Sequence, residues 1–246
     1  MAASNFILGS TTAQIAALTT KQITGLSTDD VGALTTAQVG ALTTANLVVL
    51  STDQFQSLST AAVSALKTSQ VQSLTSDEII ALSTAQAGSL STSALAALST
   101  KQIAAIETAD IEALTTYQVA NLSTATLKAL STGQVAAIET TDIRALTTGQ
   151  MGTIGTSTVV ALTTDQIQAL LTNQLGALST TGVQALSTDQ VVALTTDQVS
   201  GLSTRTVQAL TTTAVAALTT DQIGVVNTAG LAALTTGQIK ALSTDA

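Results

Sequence analysis

From Ile7 to Ala246 the chain is thirty blocks of eight residues with no insertion or deletion, and this unbroken register limits the possible folds more than any other feature. Number the columns 0 to 7, so that Leu186-Ser187-Thr188-Asp189-Gln190-Val191-Val192-Ala193 is one clean block. Column 0 is apolar at Leu18, Leu26, Leu34 and every eighth residue to Leu242, with Ser10 the polar exception. Column 5 is apolar from Ile7 to Ile239, and small Ala87 is its weakest member. Column 2 is Thr in 29 of 30 blocks, the exception being Ser76, and column 7 is small, mostly Ala. One extra residue would turn every later side chain off the core, so each octad must meet its neighbours in the same geometry. That is the pattern of a solenoid rather than a globule. No linker or change of composition interrupts it, so the expected organisation is one solenoid over residues 7–246 behind an extension at 1–6.

Two periods compete for the octad. Thr, Val and Ile favour strands, and a β-solenoid with columns 0, 2, 5 and 7 inside remains the alternative. It needs two corners per octad, and corners recruit Gly, Asn or Asp at fixed places. The 15 glycines are scattered, with no column of their own. A helix accounts for more. Columns 3 and 6 are variable and charged and lie on one face, while columns 4, 5, 7 and the next column 0 fall on the opposite one. Column 1 is mostly Ser or Thr, and column 4, three residues on, is most often Gln. Ser187-Thr188-Asp189-Gln190 therefore reads as a capping box, in which two orphan amides are satisfied by two side chains.

The acids point the same way. Twelve of fifteen fall in columns 3 or 4, whereas column 6 holds Lys128, Arg144 and Lys240 beside a single Glu112. Acids in the first turn and bases later suit a helix dipole, and a strand has no reason to separate them so. The expected fold is all-α, a superhelix of about 30 short capped helices. Six or seven residues per helix is far below the ~12–15 that stand alone in water, so packing against neighbouring octads must supply the stability. Column 4 is Gln every sixteen residues from Gln22 to Gln166 and never Gln at the nine positions between. This alternation suggests a helix pair as the unit, and leaves open whether a coil holds two octads or three.

Composition removes whole classes of function. There is no His, Cys, Pro or Trp, hence no imidazole base, no thiolate and none of the usual zinc, haem or iron–sulfur ligands. No cofactor, metal or catalytic residue is expected. A net charge of −8 and a pI near 4.1 argue against nucleic acid or an anionic membrane as partner. No apolar run approaches the ~18–20 residues of a membrane span. Met1 to Gly9 lacks a basic segment, and Phe6-Ile7-Leu8 is too short for a signal-peptide core. Low charge and abundant hydroxyls suit an exposed, long-lived material, so the expected location is extracellular or at the cell surface, without a recognisable cleavable signal peptide.

The octad Leu-Ser/Thr-Thr-x-Gln-Val/Ile-x-Ala, running through residues 7–246, resembles the repeat tracts of large secreted bacterial exoproteins described as adhesin-like. That resemblance implies surface display, adhesion or matrix roles. Leu186 to Ala193 also resembles the helix start of TAL-effector-type repeats, which supports helix geometry alone, since the DNA-reading loop and basic character are missing.

Single motifs add little. Asp29-Asp30 and Asp77-Glu78 are paired carboxylates, read here as dipole-favoured surface acids rather than a calcium or acid/base site; no Asp-x-Asp-x-Asp-Gly loop accompanies them. Lys21, Lys67, Lys101 and Tyr117 read as solvated. A flat Thr face could order water and bind ice, but in a helix those hydroxyls are taken up at helix starts. The expected function is a non-enzymatic structural rod that assembles head to tail with itself into an extracellular fibre. Two features motivate it. Soluble solenoids normally carry polar terminal caps, which Leu242 does not suggest, and a copy starting at Ile7 would continue the register after Ala246. An adhesin or ice-binding surface, touching a surface or matrix, is the alternative.

Overall fold

The computed structural model describes Ile7 and residues 9–242. The extension expected at residues 1–6 lies outside the described residues, as do the last four residues of the final octad. Among the described residues there are twenty-nine α-helices and no strand. The β-solenoid alternative is therefore wrong, and with it goes the flat Thr lattice it would have built.

Every helix begins at column 2 and runs four to six residues, as in Thr44–Leu47, Thr188–Val192 and Thr100–Ala105. They are shorter than expected because column 0 leaves the helix: Leu98 has φ −62° and ψ 135°, and Ile106 has φ −65° and ψ 128°. The following column 1 residue is extended too, Ser187 at φ −73° and ψ 163°, so two residues turn the chain into the next helix. Column 1 can do this because its hydroxyl bonds to the backbone three residues on, an alternative to continuing the helix.

The contacts group the chain into two compact units, Met1–Leu122 and Ser123–Ala246. Inside each, a helix packs against the third one along. Thr12–Ala16 lies on Thr36–Ala41 in the first unit, and Thr148–Thr153 lies on Thr172–Ala177 in the second. The coil is thus built on three octads or slightly more, and the sixteen-residue glutamine alternation does not mark a packed helix pair. With an odd stacking interval, octads that alternate along the chain are brought side by side in the coil.

The core is the seam between turns. Column 5 is sealed, from Ile15, Val39 and Phe55 in the first unit to Val159, Ile167 and Val199 in the second, all at 0% exposure. Column 0 lies beside it, as at Leu58 and Leu178. Columns 3 and 6 face solvent with few exceptions, as the amphipathic pattern requires.

Column 6 also passes close to the backbone of the stacked octad, and this decides what size it tolerates. A Cβ on Gly88 would meet the Ala113 carbonyl oxygen at 2.8 Å, whereas on Gly40 it would meet that of Ala65 at 3.9 Å. Gly88→Ala should therefore destabilise by about 1–3 kcal/mol through overpacking. Gly40→Ala, inside Thr36–Ala41, should stabilise by up to about 1 kcal/mol through helix propensity. Urea midpoints of the two variants, shifting in opposite directions, check this.

Candidate functional site

A helix of five or six residues is almost all ends. Its first four N–H and last four C=O groups lack helical partners, so nearly every backbone group must find one elsewhere. Column 4, the third helical position, meets this need in two directions at once.

Gln102 shows the arrangement. Its Oε1 accepts from the Ser99 N–H at 2.9 Å and from the Ser99 hydroxyl at 2.9 Å, while its own N–H donates to Ser99 Oγ at 3.3 Å. This is the capping box expected from the sequence. The other end of the same amide turns to the preceding coil, where Nε2 donates to the carbonyls of Val71 and Leu74, both at 2.8 Å. Those are column 5 and column 0 carbonyls at the C-terminal end of a helix, lying 31 and 28 residues back. Gln70 treats Val39 and Leu42 identically in the first unit, as Gln198 treats Ile167 and Leu170 in the second. One buried amide thus caps its own helix and closes the end of another.

Where column 4 is not Gln, the job is shared or dropped. Asn46 Nδ2 donates to the Leu18 carbonyl at 2.8 Å, keeping the 28-residue reach. Gly230 has no side chain, and Asn227 takes over from column 1: its Oδ1 accepts from the Gly230 N–H at 2.8 Å and its Nδ2 donates to the Leu202 carbonyl at 3.0 Å. Leu202 is again 28 residues before column 4. The sequence reading missed Asn227; a glycine in column 4 three residues after an asparagine was the available signal.

The paired acids divide rather than lying together at the surface. Asp29 and Asp77 are exposed, but Asp30 and Glu78 are buried at 0% and 3% exposure, as are Asp110 and Asp142 at 2% each. The third helical position is both favoured by the dipole and turned inward, so a carboxylate there is buried. Asp30 Oδ2 accepts from the Ser27 N–H and hydroxyl, and Glu78 Oε2 accepts from those of Thr75. Asp30 Oδ1 and Asp110 Oδ2 are buried without a hydrogen-bond partner. Burial, aided by the neighbouring negative charge of Glu107, pushes the Asp110 carboxyl up to about 6 from the usual 3.8.

Lys21, Lys67, Lys101 and Tyr117 are exposed, Tyr117 at 71%. The column 2 threonines are the first helical residues and mostly exposed; the capping hydroxyl is that of column 1, as the capping-box reading expected, so it is not the column 2 hydroxyls that are taken up at the helix starts. Among the described residues no three acidic side chains gather into a metal site, and no helix is long and apolar enough to cross a membrane.

Four stretches of the chain, residues 11–44, 103–137, 135–172 and 169–204, match the ALTTAQ repeat, and together they cover more than half of it. No curated protein matches the chain.

Proposed function

Since the chain belongs to the ALTTAQ repeat family, we propose that it is a non-enzymatic structural protein whose turns stack copy on copy into an extracellular or cell-surface fibre. The observation that carries this reading is that the two faces of a turn are unlike and complementary. The column 4 face offers amide donors, and the column 5 face offers apolar side chains with helix-end carbonyls beside them. A turn without a neighbour leaves one of these uncovered. Gln14 and Gln22, in the first described octads, are exposed where most of their column is buried. Leu231 and Ile239, in the last, are 40% and 55% exposed, whereas column 5 elsewhere is mostly at 2% or less.

The donor face of one copy laid on the apolar face of another would repeat the contact already made within each unit. Such a contact is heterologous and, unless it closes into a ring, it propagates. The adhesin-like resemblance and the low charge favour display outside the cell. Negative-stain microscopy of purified protein tests the proposal. Filaments lengthening with concentration are expected, and Ile239→Glu should abolish them while leaving helical circular dichroism unchanged. Discrete particles at the highest attainable concentration, or filaments indifferent to Ile239→Glu, would overturn it.

A further inference from the structure

Column 4 places an acid where its neighbours place an amide. Gln102 reaches back to Val71 and Leu74, and Gln118 to Ala87 and Leu90. Asp110 stands midway between these two glutamines in the sequence, and by the same offsets of 31 and 28 residues the carbonyls that correspond to it are those of Ile79 and Leu82. A charged carboxylate can only accept, so against two carbonyls it gives nothing and is repelled. A neutral carboxyl has one O–H to give. Asp110 Oδ2 is buried and has no donor directed at it.

We propose that Asp110 is a proton-operated latch between consecutive turns: protonated, its carboxyl donates to a backbone carbonyl of the turn before, and ionised, it leaves that joint unfastened. The same column shows a shorter side chain making this reach, since Asn46 Nδ2 lies 2.8 Å from the Leu18 carbonyl. The charged groups around Asp110 oppose ionisation or stand clear. Within Met1–Leu122, its helix Thr108–Glu112 packs on Thr84–Ala87, which has no charged residue. Ser76–Ile80, the helix that ends at the carbonyls concerned, carries exposed Asp77 and buried Glu78, whose Oε2 accepts from Thr75. On its own segment stand Glu107, which favours the neutral form, and exposed Glu112. No cation faces it from any of these elements.

The sign follows from linkage. A carboxyl that titrates near 6 when folded and 3.8 when unfolded binds its proton more tightly in the folded chain. Its contribution is full below the unfolded value and is lost as pH rises through about 6. Acidification across that interval should favour folding by about tenfold to a hundredfold through this one group.

Thermal unfolding of wild type, Asp110→Asn and the exposed control Asp77→Asn, from about pH 4 to about pH 8, tests the latch. Asparagine carries a permanent donor. Asp110→Asn should therefore be more stable than wild type at neutral pH and should lack the extra gain that wild type shows on acidification, while Asp77→Asn follows wild type. Parallel curves for Asp110→Asn and wild type would overturn the proposal, as would a loss of neutral-pH stability in that variant. A carbon-13 titration of the Asp110 carboxyl in the intact wild-type protein gives a check independent of any variant: titration near 6 supports the latch, and titration in the ordinary carboxylate range refutes it.

Discussion

Replacing Gln102 with leucine should lower stability by roughly 2–5 kcal/mol, a large effect for one polar side chain. The substitution keeps helix propensity and approximate size. What it removes is the partner of the Ser99 N–H and the donor to the Val71 and Leu74 carbonyls. The Leu74 carbonyl, left buried and unpaired, costs about 1–3 kcal/mol in desolvation, and loss of the Ser99 capping box adds about 0.5–2 kcal/mol; the Val71 carbonyl keeps the Leu74 N–H at 3.2 Å. The Leu74 carbonyl is the more vulnerable of the two acceptors, because column 0 has already left the helix and has no turn of its own to serve. The same change at exposed Gln22 removes only the capping box and should cost about 0.5–2 kcal/mol. Urea denaturation followed at 222 nm distinguishes the two accounts of column 4. If its glutamines only cap, Gln102→Leu and Gln22→Leu shift the midpoint alike; if they join turns, Gln102→Leu shifts it several-fold further.

The second large effect concerns register. An alanine inserted between Gln102 and Ile103 keeps the Ser99 capping box but turns everything after it by about 100° around the helix. Ile103 and Ile106, at 2% and 8% exposure, would leave the seam between turns. Removing one such side chain from a core costs about 2–5 kcal/mol, and the displaced helix loses two. Nor is there a loop to absorb the extra residue, since only Ile106 and Glu107 separate Thr100–Ala105 from Thr108–Glu112, and Ile106 is buried in the seam. A fall of at least 4 kcal/mol, or loss of the transition for the first unit, is expected on that basis. Tolerance of the insertion would mean that the seam is less specific than its burial indicates.

Much of this was legible in the octad itself. The interval of eight, the small column 7 and the Ser/Thr-to-Gln spacing are local properties, and local geometry turns them into a capped helix with columns 4, 5 and 0 inward. Ser187 and Gln190 form the expected box. What stayed hidden was how far along the chain the neighbouring turn lies. A strict period of eight reads the same whether the next turn is two, three or four octads away, because every octad offers the same faces. Only the far end of the glutamine amide, 28 and 31 residues from its acceptors, carries that information, and nothing near Gln102 in sequence reports it. The sixteen-residue alternation was a tempting substitute, and it misled.

The acids were misread for a related reason. A carboxylate at the third helical position satisfies the helix dipole, which made Asp30 and Glu78 look like ordinary surface charges beside Asp29 and Asp77. Burial depends on the turn packed against that position, and the dipole argument does not contain it. Asn227 illustrates the same limit. In its own octad it is a conventional N-cap, and its second hydrogen bond exists because Gly230 left a carbonyl of another turn unserved.

The central claim is that each octad is an interchangeable module, fastened to the turn before it by column 4 and sealed by column 5. Deleting residues 99–106 removes one whole module and leaves every later residue in its column, and the urea unfolding of that variant beside the single-alanine insertion tests the claim most directly. A transition in which the octad deletion stays close to wild type, with helicity reduced in proportion to length, while the insertion collapses the first unit, is the predicted result. Deletion of eight residues proving as damaging as insertion of one would contradict it.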